Sequence, residues 1–156
     1  MPKTSAGLLM YRKGASGLEF FIVHPGGPFY KNKDEGVWDI PKGQIEAHES
    51  EQFEVAKREF FEETGIEPPQ DAGLYLPLGE VQMKSGKIVY AWAFEGDFNG
   101  EITSNTITLE WPPHSGKKIE IPEVDRGGFC NYAEVSKKLN PALVQFCQRL
   151  QVKLQS

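Results

Sequence analysis

Apolar and polar positions alternate along most of this chain with the short period of strands, and one stretch breaks the rule. "SAGLLMYR" (5–12) and "LEFFIVHP" (18–25) are apolar runs of strand length, separated by the glycine-rich turn "KGASG". A loop with three glycines and two prolines follows (25–36), then the short extended segment "VWDIP" (37–41). From Glu51 to Thr64 the period lengthens: Phe53, Ala56, Phe60 and Phe61 recur at helical spacing, and Gly65 followed by "EPPQ" ends the helix. "YLPLGEVQM" (75–83) and "KIVYAWAFEG" (87–96), joined at Ser85–Gly86, predict a hairpin. Residues 101–111 form a further β-rich segment and 112–118 a loop, and "IEIPEVDRGGFCNY" (119–132) leads into the tail. The tail predicts one or two helices broken near Asn140–Pro141. Strands with helices on their flanks predict an α+β or α/β/α sandwich around a mixed sheet, in one domain spanning 1–156.

Composition narrows the partners. A chain of 156 residues with 39% apolar and 25% charged content can bury a full core. No run has the length of a membrane span or the form of a signal peptide, so a cytoplasmic protein with no membrane partner is expected. Cys130 and Cys147 have neither metal-type nor framework spacing. The net charge of −5, without a substantial basic cluster, argues against binding polymeric nucleic acid, which needs Lys and Arg against phosphates. A small phosphorylated ligand is still open to an acidic protein if a divalent cation brings the positive charge.

Chemistry concentrates in "REFFEETG" (58–65). On a helix Glu59, Glu62 and Glu63 share a face, and like charges at these spacings repel by a few tenths of a kcal/mol per pair. Ala56, Phe60 and Phe53 are expected on the opposite face, packed on the sheet. Three carboxylates aimed at one point suit a hard cation, Mg²⁺ or Mn²⁺, and the carbonyl of Gly43 in the preceding loop can add to its shell. A solvated, purely structural charge run is the competing reading.

The longer stretch "GQIEAHESEQFEVAKREFFEETGI" (43–66) resembles the signature of the Nudix hydrolases, G-x5-E-x7-R-E-U-x-E-E-x-G-U, with U bulky and apolar. Gly43 and Glu49 have the family spacing, and Arg58 to Ile66 match without a gap. "WDIPKG" (38–43) is also typical of the family. One departure stands out: eight residues, not seven, separate Glu49 from Arg58, which puts an extra residue within Ser50–Phe53. Whether Glu49, Glu51 or neither steadies Arg58 is therefore open. The resemblance implies the Nudix fold and metal-dependent cleavage of a phosphoanhydride in a nucleoside diphosphate linked to another moiety. It makes Glu59, Glu62 and Glu63 the implied metal ligands with the Gly43 carbonyl, while Arg58 orients a carboxylate. The family often draws a catalytic glutamate from a later loop; Glu123 in "PEVDRGGF" is the expected one, with Glu110 and Glu120 as competitors.

For the substrate, Phe29, Tyr30, Tyr90 and Trp92 are candidates for stacking, and Lys31, Lys33, Lys42 and Lys87 for holding phosphate. Two subgroup markers of the family are absent. Val81 and Gln82 stand where ADP-ribose hydrolases tend to carry proline, and Met83 and Lys84 where diadenosine polyphosphate hydrolases tend to carry tyrosine. The substrate class thus stays between a nucleoside triphosphate and a dinucleoside polyphosphate. A nucleotide-sensing module without catalysis is the main alternative, although such modules usually lose a box carboxylate and this chain keeps all three.

Overall fold

In the computed structural model, which describes residues 3–49 and 51–155, the two apolar runs form β1 (Thr4–Gly14) and β2 (Gly17–Pro25). β1 is buried without interruption from Ser5 to Tyr11, as expected of a strand covered on both faces. The box helix α1 spans Gln52–Thr64 between β3 (Lys42–Gln44) and the hairpin β4 (Tyr75–Gln82) and β5 (Ile88–Glu95). β6 (Thr106–Glu110), β7 (Lys118–Pro122) and β8 (Val124–Asn131) follow, then α2 (Tyr132–Lys138) and α3 (Pro141–Gln155). The main sheet runs β4-β5-β1-β2-β8, with β3 also on β1. The β1–β5 pair is parallel and the others are antiparallel, so the sheet is mixed. This is the expected α+β sandwich.

Alternation along the central strands splits the core in two. Leu9, Tyr11, Phe20 and Ile22 face Leu143, Phe146 and Leu150 of α3. Leu8, Met10, Phe21 and Val23 face Val55, Ala56 and Phe60 of α1. β5 does the same, with Val89, Ala91 and Ala93 on the α3 side and Phe94 on the α1 side. A fully buried Leu or Phe contributes ~2 kcal/mol through apolar burial, and these two layers hold α1 rigidly on the sheet.

The sheet opens where the site forms. β1 pairs with β2 only from Tyr11 onward, while its first half pairs with β3. The segment "WDIPKGQ" fills the split: Asp39 and Val23 exchange backbone hydrogen bonds of 2.8 Å, and Leu8 N donates to Pro41 O at 3.1 Å. An extended segment wedged between two strands has its side chains fixed by the sheet, which suits it to hold ligands.

One expectation is narrowed: the β-rich run 101–111 is a strand only over Thr106–Glu110. The stretch 119–132 divides between two sheets, β7 pairing with β6 in a separate two-stranded sheet and β8 joining β2 in the main one. Glu123 sits at the break between them.

Candidate active site

α1 starts at Gln52, with Glu51 extended at φ −98° and ψ 93°, and ends at Gly65, whose φ of 76° is left-handed and favours glycine. Ser50, the first position at which the extra residue was expected, lies outside the described residues. Beyond it the register holds. Arg58 Nη2 donates to Glu49 Oε2 at 2.7 Å, so Glu49, rather than Glu51, steadies the arginine in spite of the longer spacing. The same guanidinium lies 3.1 Å from Glu62 Oε1 and 3.5 Å from Glu59 Oε1. Glu49 is fixed in turn by accepting from Glu46 N at 2.9 Å.

The carboxylates do not lie opposite the packing face, as the helical pattern suggested. Glu63 follows Phe60 by one turn on the sheet side and is only 3% exposed. Glu59 packs against β3. A Cβ on Gly43 would come within 2.0 Å of Glu59 Cδ, so only glycine leaves room for this carboxylate. Glu62 is drawn aside to Arg58. Consequently, among the described residues, no three acidic, His or Cys side chains are gathered tightly enough to hold an ion as they stand.

Electrostatics identify what the site lacks. Burial, then Glu123 and Asp39, push the Glu63 carboxyl up to about 10, and burial and Glu62 push Glu59 to about 7. Glu63 Oε2 is buried with no hydrogen-bond partner among the described residues. Buried carboxylate oxygens are normally satisfied, and an orphan of this kind marks a place for a ligand. Lys42 is the nearby cation. Its Nζ lies 3.1 Å from Asp39 Oδ2, and Asp39 first, with Glu63 and Glu123 beyond it, holds the ammonium charged above its ordinary range. Asp39, Glu63 and Glu123 thus gather around one lysine, with Glu59 beside them facing Arg58 at 3.5 Å, and hard oxygen donors of this kind fit a divalent cation.

Glu63, Lys42, Asp39 and Glu123 line one cleft of about 220 Å³ with Tyr30 and Gly26. Of the three glutamates considered as base, Glu123 lines it and the other two do not. Glu110 is engaged elsewhere, accepting from His114 N and Gly116 N at 3.1 Å each, and Glu120 is exposed on β7. Phe29 lies with Tyr30 in an adjoining apolar cleft, whereas Tyr90 and Trp92 line neither. Trp92 instead packs against Phe53 at 5.2 Å between ring centroids.

Two residues escaped the sequence reading. Asp39 anchors Lys42, and its only signal was its place in "WDIPKG". Asn105 donates from Nδ2 to Glu123 Oε1 at 3.0 Å, while its backbone bonds to Glu62 O and Glu123 N. It ties the end of α1 to the Glu123 loop, eighteen positions away, and nothing local in "TSNTIT" announces that.

The profile of the NUDIX domain matches residues 1–150. The chain belongs to the NUDIX domain family. Solved structures of that fold resemble it over nearly their whole length. One is an Ap4A hydrolase of C. elegans in a binary complex, with a TM-score of 0.63, 18% identity, and coverage of 97% of this chain and 98% of that one. Another is the NUDIX domain of Shewanella oneidensis NrtR complexed with ADP ribose, at 0.66, 14%, 99% and 89%. A third is the MutT protein from Methanosarcina mazei Go1, at 0.60, 21%, 99% and 97%. No curated protein matches by sequence.

Proposed function

We propose that this NUDIX protein is a divalent-metal-dependent hydrolase that cleaves a phosphoanhydride in a nucleoside diphosphate linked to another moiety. A nucleoside triphosphate or a dinucleoside polyphosphate is the expected substrate type, and the cytoplasm the expected setting. The observation that supports this reading is the buried, unpartnered Glu63 carboxyl group beside Glu59, in an acidic cleft whose oxygen donors suit a divalent cation.

Glu59, Glu63 and, once it leaves Arg58, Glu62 would hold Mg²⁺ or Mn²⁺ with the Gly43 carbonyl. When bound, the ion neutralises phosphoryl oxygens and makes a coordinated water more acidic. The protein does the rest. Glu123 takes the proton of the attacking water, and Asn105, donating to one oxygen of Glu123, fixes which oxygen is free. Lys42, held in place by Asp39, offers its ammonium to a phosphate as a point charge. Arg58 positions Glu49, Glu59 and Glu62 rather than touching substrate.

The sensing alternative rested on the one-residue longer spacing. The 2.7 Å Arg58–Glu49 contact survives that insertion, which favours the hydrolase. The test is a screen of purified protein with Mg²⁺ or Mn²⁺ against a panel of nucleoside diphosphate derivatives, reading released phosphate or pyrophosphate, with a chelator control. Tight binding of a nucleotide without turnover of any panel member would favour the sensor.

A further inference from the structure

The cleft that contains the carboxylates continues into a second, larger one of about 440 Å³. It opens between the Phe29–Tyr30 loop and the β6–β7 hairpin, and the two clefts share Gly26, Tyr30 and Ile107. A single ligand can therefore span both. The walls of the second are apolar and aromatic: Phe29, Tyr30, Leu109, Trp111 and Ile121. Phe29 is 53% exposed and Ile107 39%, a large apolar surface to leave in water next to a polar site. The floor is fixed by close packing, since a Cβ on Gly26 would meet Pro122 O at 2.0 Å. The volume is that of a small-molecule site.

Charge decides which part of a ligand enters. Lys33 Nζ covers one face of Phe29 at 3.5 Å from the ring centroid, but among the described residues no lysine or arginine lines the slot itself, and the carboxylate that does, Glu110, repels phosphate. Phosphates therefore belong beside Lys42, and an uncharged moiety belongs here. A hydrocarbon chain would desolvate Glu110 with no compensation. Glu110 already accepts one backbone N–H at each oxygen, from His114 and Gly116, and each oxygen retains a lone pair. A planar heterocycle with an exocyclic amine meets both demands, its faces stacked on the aromatic walls and its amine on the carboxylate.

We propose that this slot is the nucleobase subsite, selecting an amine-bearing base; this rests on the phosphoanhydride-hydrolase reading above. The β6–β7 hairpin, which stands outside the main sheet, then supplies base recognition to a catalytic site built by α1 and β3.

The test uses three probes with Mg²⁺, titrated calorimetrically into the full chain: adenosine 5′-(β,γ-imido)triphosphate, its inosine counterpart and inorganic tripolyphosphate. The adenine probe should bind wild type at least roughly tenfold more tightly than the other two, in the range of base–aromatic stacking and one polar contact. Phe29→Ala and Trp111→Ala should each weaken the adenine probe about tenfold while tripolyphosphate binds as before. Equal affinity of the adenine probe and tripolyphosphate for wild type, or variants that weaken both alike, would overturn the slot and leave the hydrolase reading standing. If Trp111→Ala does not fold, Phe29→Ala decides, because Phe29 is an exposed loop residue. If no phosphate probe binds, the hydrolase reading fails, and adenosine alone then decides the slot by its quenching of Trp111 fluorescence, with Trp111→Phe as the blank. Quenching sustains the slot and its absence overturns it.

Discussion

Replacing Glu63 by glutamine should stabilise the metal-free protein, and the gain should grow with pH. Glu63 ionises near 4.5 in the unfolded chain but is pushed to about 10 by burial and by Glu123 and Asp39 in the fold. Between those values the folded state holds a proton that the unfolded state has released, so stability falls as pH rises. At ~1.4 kcal/mol per unit, the three units from 4.5 to about pH 7.5 set a ceiling of about 4 kcal/mol. Relaxation and water entry reduce this to an expected ~1–3 kcal/mol, and glutamine, which does not ionise, escapes it. With ~2–4 °C per kcal/mol for a chain of this size, Glu63→Gln in chelator should melt ~3–10 °C above wild type near pH 7.5. The gap should close as pH falls below about 4.5, where the wild-type carboxyl becomes protonated in the unfolded state as it already is in the folded one. Added Mg²⁺ should raise wild type and leave the variant nearly unmoved, narrowing or reversing the order. Fluorimetric melts across pH, with and without chelator, measure all of this. A variant less stable than wild type by the same amount at every pH would mean that Glu63 is satisfied in the fold, and the argument from its orphaned oxygen would fail.

Other outcomes follow from the same geometry. Gly43→Ala should keep its melting temperature but lose roughly a hundredfold in turnover, because the new Cβ displaces the flexible Glu59 carboxylate rather than backbone. Glu123→Gln should cut turnover by roughly a hundred to ten thousandfold, with metal affinity changed less than in Glu59→Gln, whereas Glu110→Gln should retain the wild-type turnover number; single-turnover assays with metal titrations separate these. Metal binding should release protons near neutral pH, since Glu59 at about 7 and Glu63 at about 10 must ionise to bind, so affinity should rise with pH. Calorimetry in two buffers of different ionisation enthalpy checks this, and identical heats would count against it. Arg58→Lys should lower turnover with little change in KM for substrate, because the arginine orders carboxylates rather than the substrate.

Local chemistry was enough to place the first two strands, the box helix and the hairpin, and to single out the acidic cluster on that helix. The runs "AGLLMY" and "FFIVH", the helical spacing of Phe53, Ala56 and Phe60, and the glycine after Thr64 follow from side-chain period and backbone freedom, which neighbours in sequence decide. The charge pattern of Arg58 to Glu63 likewise raised the expectation of a cation. What it could not give was the rotation of α1 on the sheet. That depends on how Val55, Ala56 and Phe60 seat against Leu8, Met10 and Phe21, and it turned Glu63 inward and Glu62 out to Arg58. The splitting of β1 from β2, which admits Asp39 and Lys42, is a contest among strand pairings distant in the chain. The break between β7 and β8 was equally illegible, because both segments alternate like strands and only the sheet each joins tells them apart. That break brings Glu123 to Asn105 and the hairpin to the Phe29 loop. Burial and long-range charge, which give Glu63 its perturbed ionisation, exist only once those distant segments meet.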